Sequence, residues 1–198
     1  SSTMAIAGIF RFGRWGATCA PWHRLNRSAG FVDGGRKALG LVVALDAEER
    51  VARLSGCPVV CAGVGPDRAL SGAKALIETG AQALVSFGVA GALTPQAGAG
   101  MLLIPNRLYW NDRVFEMDAR LGDSLRSSIS PSVQLLRGGH VAVGEMIRTR
   151  ERKAELARKH EHAGEPAFGV DMESGAIAQA AAGAGIPFAV LRVVADEA

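Results

Sequence analysis

Residues 169–198 read GVDMESGAIAQAAAGAGIPFAVLRVVADEA, and the reading of this stretch decides the fold. Ala167 to Val170 is a short apolar strand. Ser174 to Ala184 is small, Ala-rich and helical. Pro187 to Val194 is a continuous apolar run of the kind a buried parallel strand shows. Such a strand–helix–strand unit is expected to make two parallel neighbours joined by a right-handed crossover. Ligands of such sheets sit beyond the carboxyl ends of the strands. Asp171, Glu173 and Asp196 all fall at that edge. Three carboxylates gathered there are hard to explain as packing.

Working outward, further strands are expected at Leu39–Leu45, Pro58–Ala62, Ala83–Phe87, Met101–Ile104 and His140–Val143. Pro66 opens a helix at its first turn, where the missing N–H matters little. That helix runs to Thr79 and Gly80 ends it. Thr149 to His160 is charge-dense and helical. Leu108 to Ser132 is polar and mixed, with one helix around Ala119–Ser128. Alternating strands and helices with short links predict one α/β domain over residues 39–198.

Residues 1–38 lack periodicity and are read as an irregular basic arm. Residues 1–37 hold six basic residues (Arg11, Arg14, Arg24, Arg27, Arg36, Lys37) and one acid, Asp33, a balance of +5; the whole chain carries +3, so the remainder carries −2. The high pI therefore belongs to the arm, and a nucleic-acid partner, which wants a basic face on the folded body, is not expected. Phe10, Phe12, Trp15 and Trp22 interleave with the arginines. This is the composition of a segment that touches an anionic membrane surface weakly. No apolar run reaches the length of a membrane span. The MAIAGIF of residues 4–10 is too short for a signal-peptide core and lacks a basic segment before it. Cys19, Cys57 and Cys61 are odd in number and without CxxC spacing, which fits a reducing cytoplasm.

Two sequence features outside the opening stretch complete the pattern: LVVALDAEE at 41–49 and SFGVAGAL at 86–93. Together with VDMES (170–174) and IPFAVLRVVAD (186–196), they resemble the nucleoside phosphorylase and nucleosidase superfamily. Its pattern is V-E-M-E, then R-x-[IV]-[SA]-D one helix and one strand later. Asp171 replaces the first Glu; Met172, Glu173, Arg192, Ala195 and Asp196 match. The resemblance covers Leu39 to the end of the chain, and its wording is most similar to the hopanoid-biosynthesis-associated members. It implies a three-layer αβα sandwich around a central twisted mixed sheet, and cleavage of the N-glycosidic bond of a purine nucleoside. The implied substrate is a 5′-substituted adenosine such as adenosylhopane. Hydrolysis of methylthioadenosine or adenosylhomocysteine is the alternative reaction, and a non-catalytic nucleoside-binding relative the alternative class. A small-molecule nucleoside partner, a homo-oligomer, no cofactor and no metal go with it, with inorganic phosphate a candidate co-substrate. The resemblance also implies a loop and long helix after Asp196. The domain is expected to lack that helix; a sequence that continues further, a truncated gene, and a last strand held by other means, burial of its apolar face by a partner subunit among them, are the alternatives.

The chemistry can be placed on residues. Breaking a bond between a sugar carbon and a base nitrogen leaves positive charge on the sugar and negative charge on the base. An acid can neutralise the base, and fixed polar groups can stabilise the sugar cation. The resemblance puts Asp196 at purine N7. Holding a proton there requires a pKa raised by burial; the bland alternative is a turn cap. Glu173 is implied as the ribose clamp, since a carboxylate accepts from two hydroxyls, with Met172 packed under the sugar. The alternatives are an acid favourable to the helix dipole and a core methionine. Asp171 is expected to point away from the sugar. The resemblance also implies an acid that orients water, Glu48, with Glu49 next to it as runner-up; the alternative is a solvated helix start.

Gly88, Val89, Ala90 and Gly91 read as a glycine turn whose N–H groups approach the ligand. Phosphorylases of this superfamily place Arg where Ser86 stands, and Ser or Thr where Val89 stands; both contact phosphate. The remaining phosphate candidate is the helix start at Gly63–Arg68, through Gly65 and Arg68, unless Arg68 is a surface charge. GVGPDR is not a dinucleotide loop, because Arg68 stands at the third glycine. His160-Glu161-His162 reads as a solvated helix end rather than a metal site, and Cys57 and Cys61 as apolar filler. Tyr109, Trp110, Asn111, Met146 and Ile147 are read either as contacts to the base or its 5′ substituent or as core.

Overall fold

The computed structural model describes residues 39–161, 165–196 and 198. The basic arm, Cys19 and His162 lie outside them, and so do the expectations attached to them. The elements are β1 (Leu39–Val43), α1 (Asp46–Ala52), β2 (Val59–Cys61), α2 (Pro66–Glu78), β3 (Ala83–Ala92), β4 (Leu102–Leu103), β5 (Arg107–Trp110), β6 (Arg113–Glu116), α3 (Ala119–Ser127), β7 (Leu135–Leu136), β8 (Gly139–Ala142), α4 (Arg150–Lys159), β9 (Ala167–Asp171), α5 (Ser174–Ala184) and β10 (Phe188–Val194). Among the described residues no helix is long and apolar enough to cross a membrane.

The strands form one mixed sheet in the order β6-β5-β8-β9-β3-β10-β4-β7, with β1 against β3 and β2 outside β1. Side chains alternate across it, as strand geometry requires. Leu41, Val43, Val85, Phe87, Leu191 and Val193 face α1 (Val51, Ala52) and α3 (Leu121, Leu125). Val42, Leu84 and Val190 face α2 (Ala69, Ala73, Leu76) and α5 (Ala176, Ile177, Ala180). Helices thus cover both faces of a central sheet, and the fold is the expected α/β sandwich. The Ala-rich sequence of α5 suits its position, because small side chains let it lie close against both α2 and the sheet. Gly185, at φ +67°, ends it in the left-handed conformation that glycine adopts freely.

Three expectations change. β9 and β10 are not parallel neighbours: β3 lies between them, parallel to β10 and antiparallel to β9. The reason is the length of β3, ten residues, which gives one of its edges first to β1 and then to β9. The second change is that Gly88–Gly91 is not a turn but the second half of β3, paired with Arg192–Val194 along the other edge. The third is in the mixed segment, where a hairpin joins β5 to β6 through a two-residue Asn111–Asp112 turn with Asn111 at φ +54°. Asn tolerates that conformation better than most residues.

Candidate active site

The site is built on a break in strand pairing. β1 leaves β3 after Ser86, and β9 joins the same edge only at Gly91. The edge between them has no strand partner, so its backbone groups must be satisfied otherwise. The side chain of Glu48 enters this break. Its Oε1 accepts from the Val89 N–H at 2.9 Å. Its Oε2 accepts from Ala44 and Leu45 N–H at 2.9 and 3.0 Å. Glu48 is 2% exposed, and one acceptor position of its carboxylate is left over. Glu49, one residue on, points out and pairs with Arg53 at 2.5 Å.

Gly88 explains how the side chains fit. A Cβ there would overlap both the Arg192 guanidinium and the Glu48 carboxylate. Arg192 stands directly opposite Gly88 on β10 and is 1% exposed. Its Nη2 donates to Ser86 Oγ (2.6 Å) and Ser174 Oγ (3.1 Å), and its Nη1 donates to the Val89 carbonyl at 3.4 Å. Its Nε lies 2.8 Å from Asp171 Oδ2 without a directed hydrogen bond, so that contact is ionic. Ser86 on β3 therefore receives a guanidinium from the neighbouring strand.

Asp171 gathers this network. Its Oδ1 accepts from the N–H groups of Glu173 and Ser174 at 3.0 and 2.9 Å. Its Oδ2 accepts from Ser174 Oγ and meets His140 Nε2 at 2.9 Å. Burial on its own would raise the Asp171 carboxyl. Arg192 and His140 overcome that, and hold it well below the usual carboxylate range. An ionised acceptor facing Nε2 places the His140 ring proton on that nitrogen.

Glu173 stands at the N-cap position of α5, its side chain making no cap bond to the helix, and is buried. Its Oε1 accepts from the Gly65 N–H at 2.9 Å, which ties the start of α2 to the start of α5. Burial pushes its carboxyl up. Arg192 and the Gly65 bond pull it down, while Asp171 and Glu48 add to the rise. The Gly65 N–H expected to hold phosphate is thus engaged by a carboxylate. The Arg68 side chain, exposed, folds back over Gly63, where a Cβ would stand 3.0 Å from its Nη1. Met172 lies half-buried between Asp171 and Glu173.

Asp196 follows β10. Its Oδ1 accepts from the Ala92 N–H at 2.8 Å, and its Oδ2 accepts from Lys153 Nζ at 3.0 Å. Gly91 leaves room for it, since a Cβ there would stand 3.3 Å from Oδ1. The expectation of burial is not met: the side chain is 55% exposed, because it lies two residues past the strand, beyond the apolar layers. Gly88 and Gly91 are three strand residues apart, about 10 Å. That is the separation along β3 between the Glu48–Arg192 pair and Asp196.

Of the remaining candidates, Tyr109 is core, packed with Leu93 and Val141, and its ring lies 4.9 Å from that of His160. Trp110 covers Gly175 so closely that a Cβ there would overlap its indole ring. Asn111 makes the hairpin turn, Ile147 packs against the third apolar cluster, and Met146 is exposed. Cys61 is not simple filler: its Sγ lies 3.7 Å from Asp46 Oδ1. Ligand atoms of Asp46, Glu49 and Cys61 approach within 4.8 Å of one another. Burial and then Glu49 raise that thiol, away from the thiolate a metal requires. Sequence reasoning did not select Ser86, His140, Lys153, Ser174 or Arg192 as site residues. The signal for Arg192 was present, a single charge inside the apolar run FAVLRVV.

A family model described as the phosphorylase superfamily matches residues 50–198. The chain belongs to that superfamily. As a member it is a nucleoside-cleaving enzyme of the nucleosidase and phosphorylase type, and phosphate as co-substrate is compatible with the superfamily. No curated protein matches the chain. Among solved structures, a methylthioadenosine nucleosidase described as putative, from Weissella paramesenteroides, superposes with a TM-score of 0.71 at 23% identity, over 82% of this chain and 86% of that one. The 5′-methylthioadenosine/S-adenosylhomocysteine nucleosidase of Helicobacter pylori does so with a TM-score of 0.71 at 19% identity, over 82% and 86%. Futalosine hydrolase of Helicobacter pylori gives 0.68 at 19% identity, over 80% and 84%. At these identities the likeness is one of fold.

Proposed function

We propose that this superfamily member cleaves the N-glycosidic bond of a 5′-substituted purine nucleoside, with water as the nucleophile. The observation that carries the reading is Glu48, held by three backbone N–H groups in the break of β3 beside Arg192. A fixed carboxylate with one free acceptor position is suited to hold a water and take its proton. Glu173 grips the ribose hydroxyls with the lone pairs that Gly65 leaves free. Its charge and that of Glu48 offset the positive charge that grows on the sugar. Asp196 takes the base end, with Gly88–Gly91 as the floor between and Met172 beneath the sugar.

Two features favour water over phosphate. The Ser86 hydroxyl is engaged by Arg192, and the Gly65 N–H by Glu173. The nucleosidases and the hydrolase of like fold support the same choice. A second observation bears on the 5′ substituent. Leu45 and Val64 are exposed apolar residues, beside the backbone groups that hold Glu48 and Glu173. They favour an apolar substituent, whether a methylthio group or the hydrocarbon of adenosylhopane.

The test is product analysis with a panel of 5′-substituted adenosines, in buffer with and without phosphate. Free adenine and free sugar in phosphate-free buffer are expected. Strict phosphate dependence with a sugar 1-phosphate product would replace water by phosphate. Saturable nucleoside binding without turnover, unchanged in Asp196→Asn, would establish the non-catalytic reading instead.

A further inference from the structure

Asp196 stands at the base end of the proposed site with both of its carboxyl oxygens already engaged. Each of its carboxylate oxygens accepts from a nitrogen donor, Ala92 N–H at 2.8 Å and Lys153 Nζ at 3.0 Å. A carboxylate so engaged is an acceptor. N7 of a departing purine is an acceptor as well, so the two face each other with no hydrogen between them.

Lys153 resolves this. The charged residues Arg150, Glu151, Arg152, Glu155, Arg158 and Lys159 of α4 are all exposed. Lys153 alone among them turns inward, one turn before the core residue Leu156, with its side chain 8% exposed. A buried ammonium is costly unless it is paired, and this one is aimed at Asp196, the carboxylate at the base end of the proposed site. The carboxylate is the solvent-reachable member of the pair and the ammonium the sheltered one, 55% against 8% exposed.

We propose that the proton received by purine N7 originates on Lys153 and passes through Asp196. The proposal rests on the purine-cleaving reading above. As the C1′–N9 bond breaks, its electron pair goes to the purine. A proton moves from Lys153 Nζ to Asp196 Oδ2 and from there to N7, leaving a neutral amine and a carboxylate. The water oxygen bonds to C1′ and its proton goes to Glu48. Solvent then reprotonates Lys153 and takes the proton from Glu48, so charge and atoms balance over the cycle.

The experiment compares full-length wild type, Lys153→Met and Lys153→Arg on two substrates. One is the best 5′-substituted adenosine of the panel. The other is p-nitrophenyl riboside, whose leaving group departs as a stable phenolate and needs no proton. Lys153→Met is expected to lower kcat on the adenosine about 100-fold, with KM and p-nitrophenyl riboside cleavage within about twofold of wild type. Lys153→Arg keeps the charge and the contact but does not release a proton readily, so it is expected to show the same selective loss. It carries the test alone if the Met variant does not fold. Equal losses on both substrates would reduce Lys153 to a structural role, and full purine activity in Lys153→Arg would reduce it to a charge. Either result overturns the relay while leaving the proposed reaction standing. A wild-type protein that releases base from neither substrate overturns both.

Discussion

Glu48 and Glu49 are the same residue type at adjacent positions, and the first turn of α1 sends them to different fates. Glu48 is turned into the break of β3 and takes three backbone N–H groups; Glu49 meets Arg53 at the surface. Glu48→Gln is expected to lower kcat by about 100- to 10,000-fold. Glu49→Gln is expected to leave activity within about twofold and to change stability by less than about 1 kcal/mol, as exposed pairs do. Steady-state kinetics and urea titration of the two variants check this, and equal effects would refute the assignment. Glu173 gives a pH signature. Its folded-state pKa is raised by burial, so on acidification it takes a proton above the ordinary Glu range and stops accepting from one ribose hydroxyl. KM is therefore expected to rise as pH falls from about 8 to 4, with its limb above that of a free Glu. Glu173→Gln should show a high KM with no limb. At this scale the sequence made the carboxylates visible, because acids at strand ends break an apolar pattern. It left the Glu48/Glu49 choice open, because the direction of a side chain in a helix's first turn depends on what the neighbouring strands leave unpaired.

β3 is the element whose sequence was misread, and its glycines are the cause. A glycine after an apolar strand commonly signals a turn, yet here the chain runs on extended to Ala92. What the glycine supplies at Gly88 is the absence of a Cβ, so that Arg192 and Glu48 can meet over the backbone. Gly88→Ala is therefore expected to displace one or both side chains. Activity should fall at least about 100-fold, while the strand stays paired and stability drops by about 1–3 kcal/mol, the range for overpacking. Circular dichroism with denaturant titration and kinetics separates the two effects. Wild-type activity in Gly88→Ala would show that the close approach is not required. By contrast, the bounds of α5 were legible to the residue. Its Ala run has helical composition, and Gly185 has the terminating conformation. The β5–β6 hairpin escaped notice because two four-residue strands, each opening on an arginine, are too short to display a period of two.

The whole molecule is held together at the site by a buried polar network that joins four strands and a helix. It runs from His140 on β8 through Asp171 on β9 to Arg192 on β10, Ser86 on β3 and Ser174 on α5. The strands were legible one by one, but their order was not. β3 between β9 and β10 is a long-range arrangement that no local pattern carries, and the polar residues reveal it only once they meet. The network makes a thermodynamic prediction. Asp171 has its pKa depressed in the folded state, below the value of about 3.9 for an unfolded Asp. Between those two values the unfolded chain binds the extra proton, so stability falls as the pH drops. The contribution is complete above about pH 4 and is lost as pH falls toward the folded-state value. Asp171→Asn removes that dependence and also leaves Arg192 without its buried counter-charge. The variant is expected to lose about 3–5 kcal/mol at neutral pH and to show a flatter acid limb than wild type below about pH 4. Urea unfolding at a series of pH values measures both. Asp171 also raises the Glu173 carboxyl, so the comparison is made in the Glu173→Gln background, where the difference between the curves isolates Asp171. Parallel curves would mean that its charge does not stabilise the sheet.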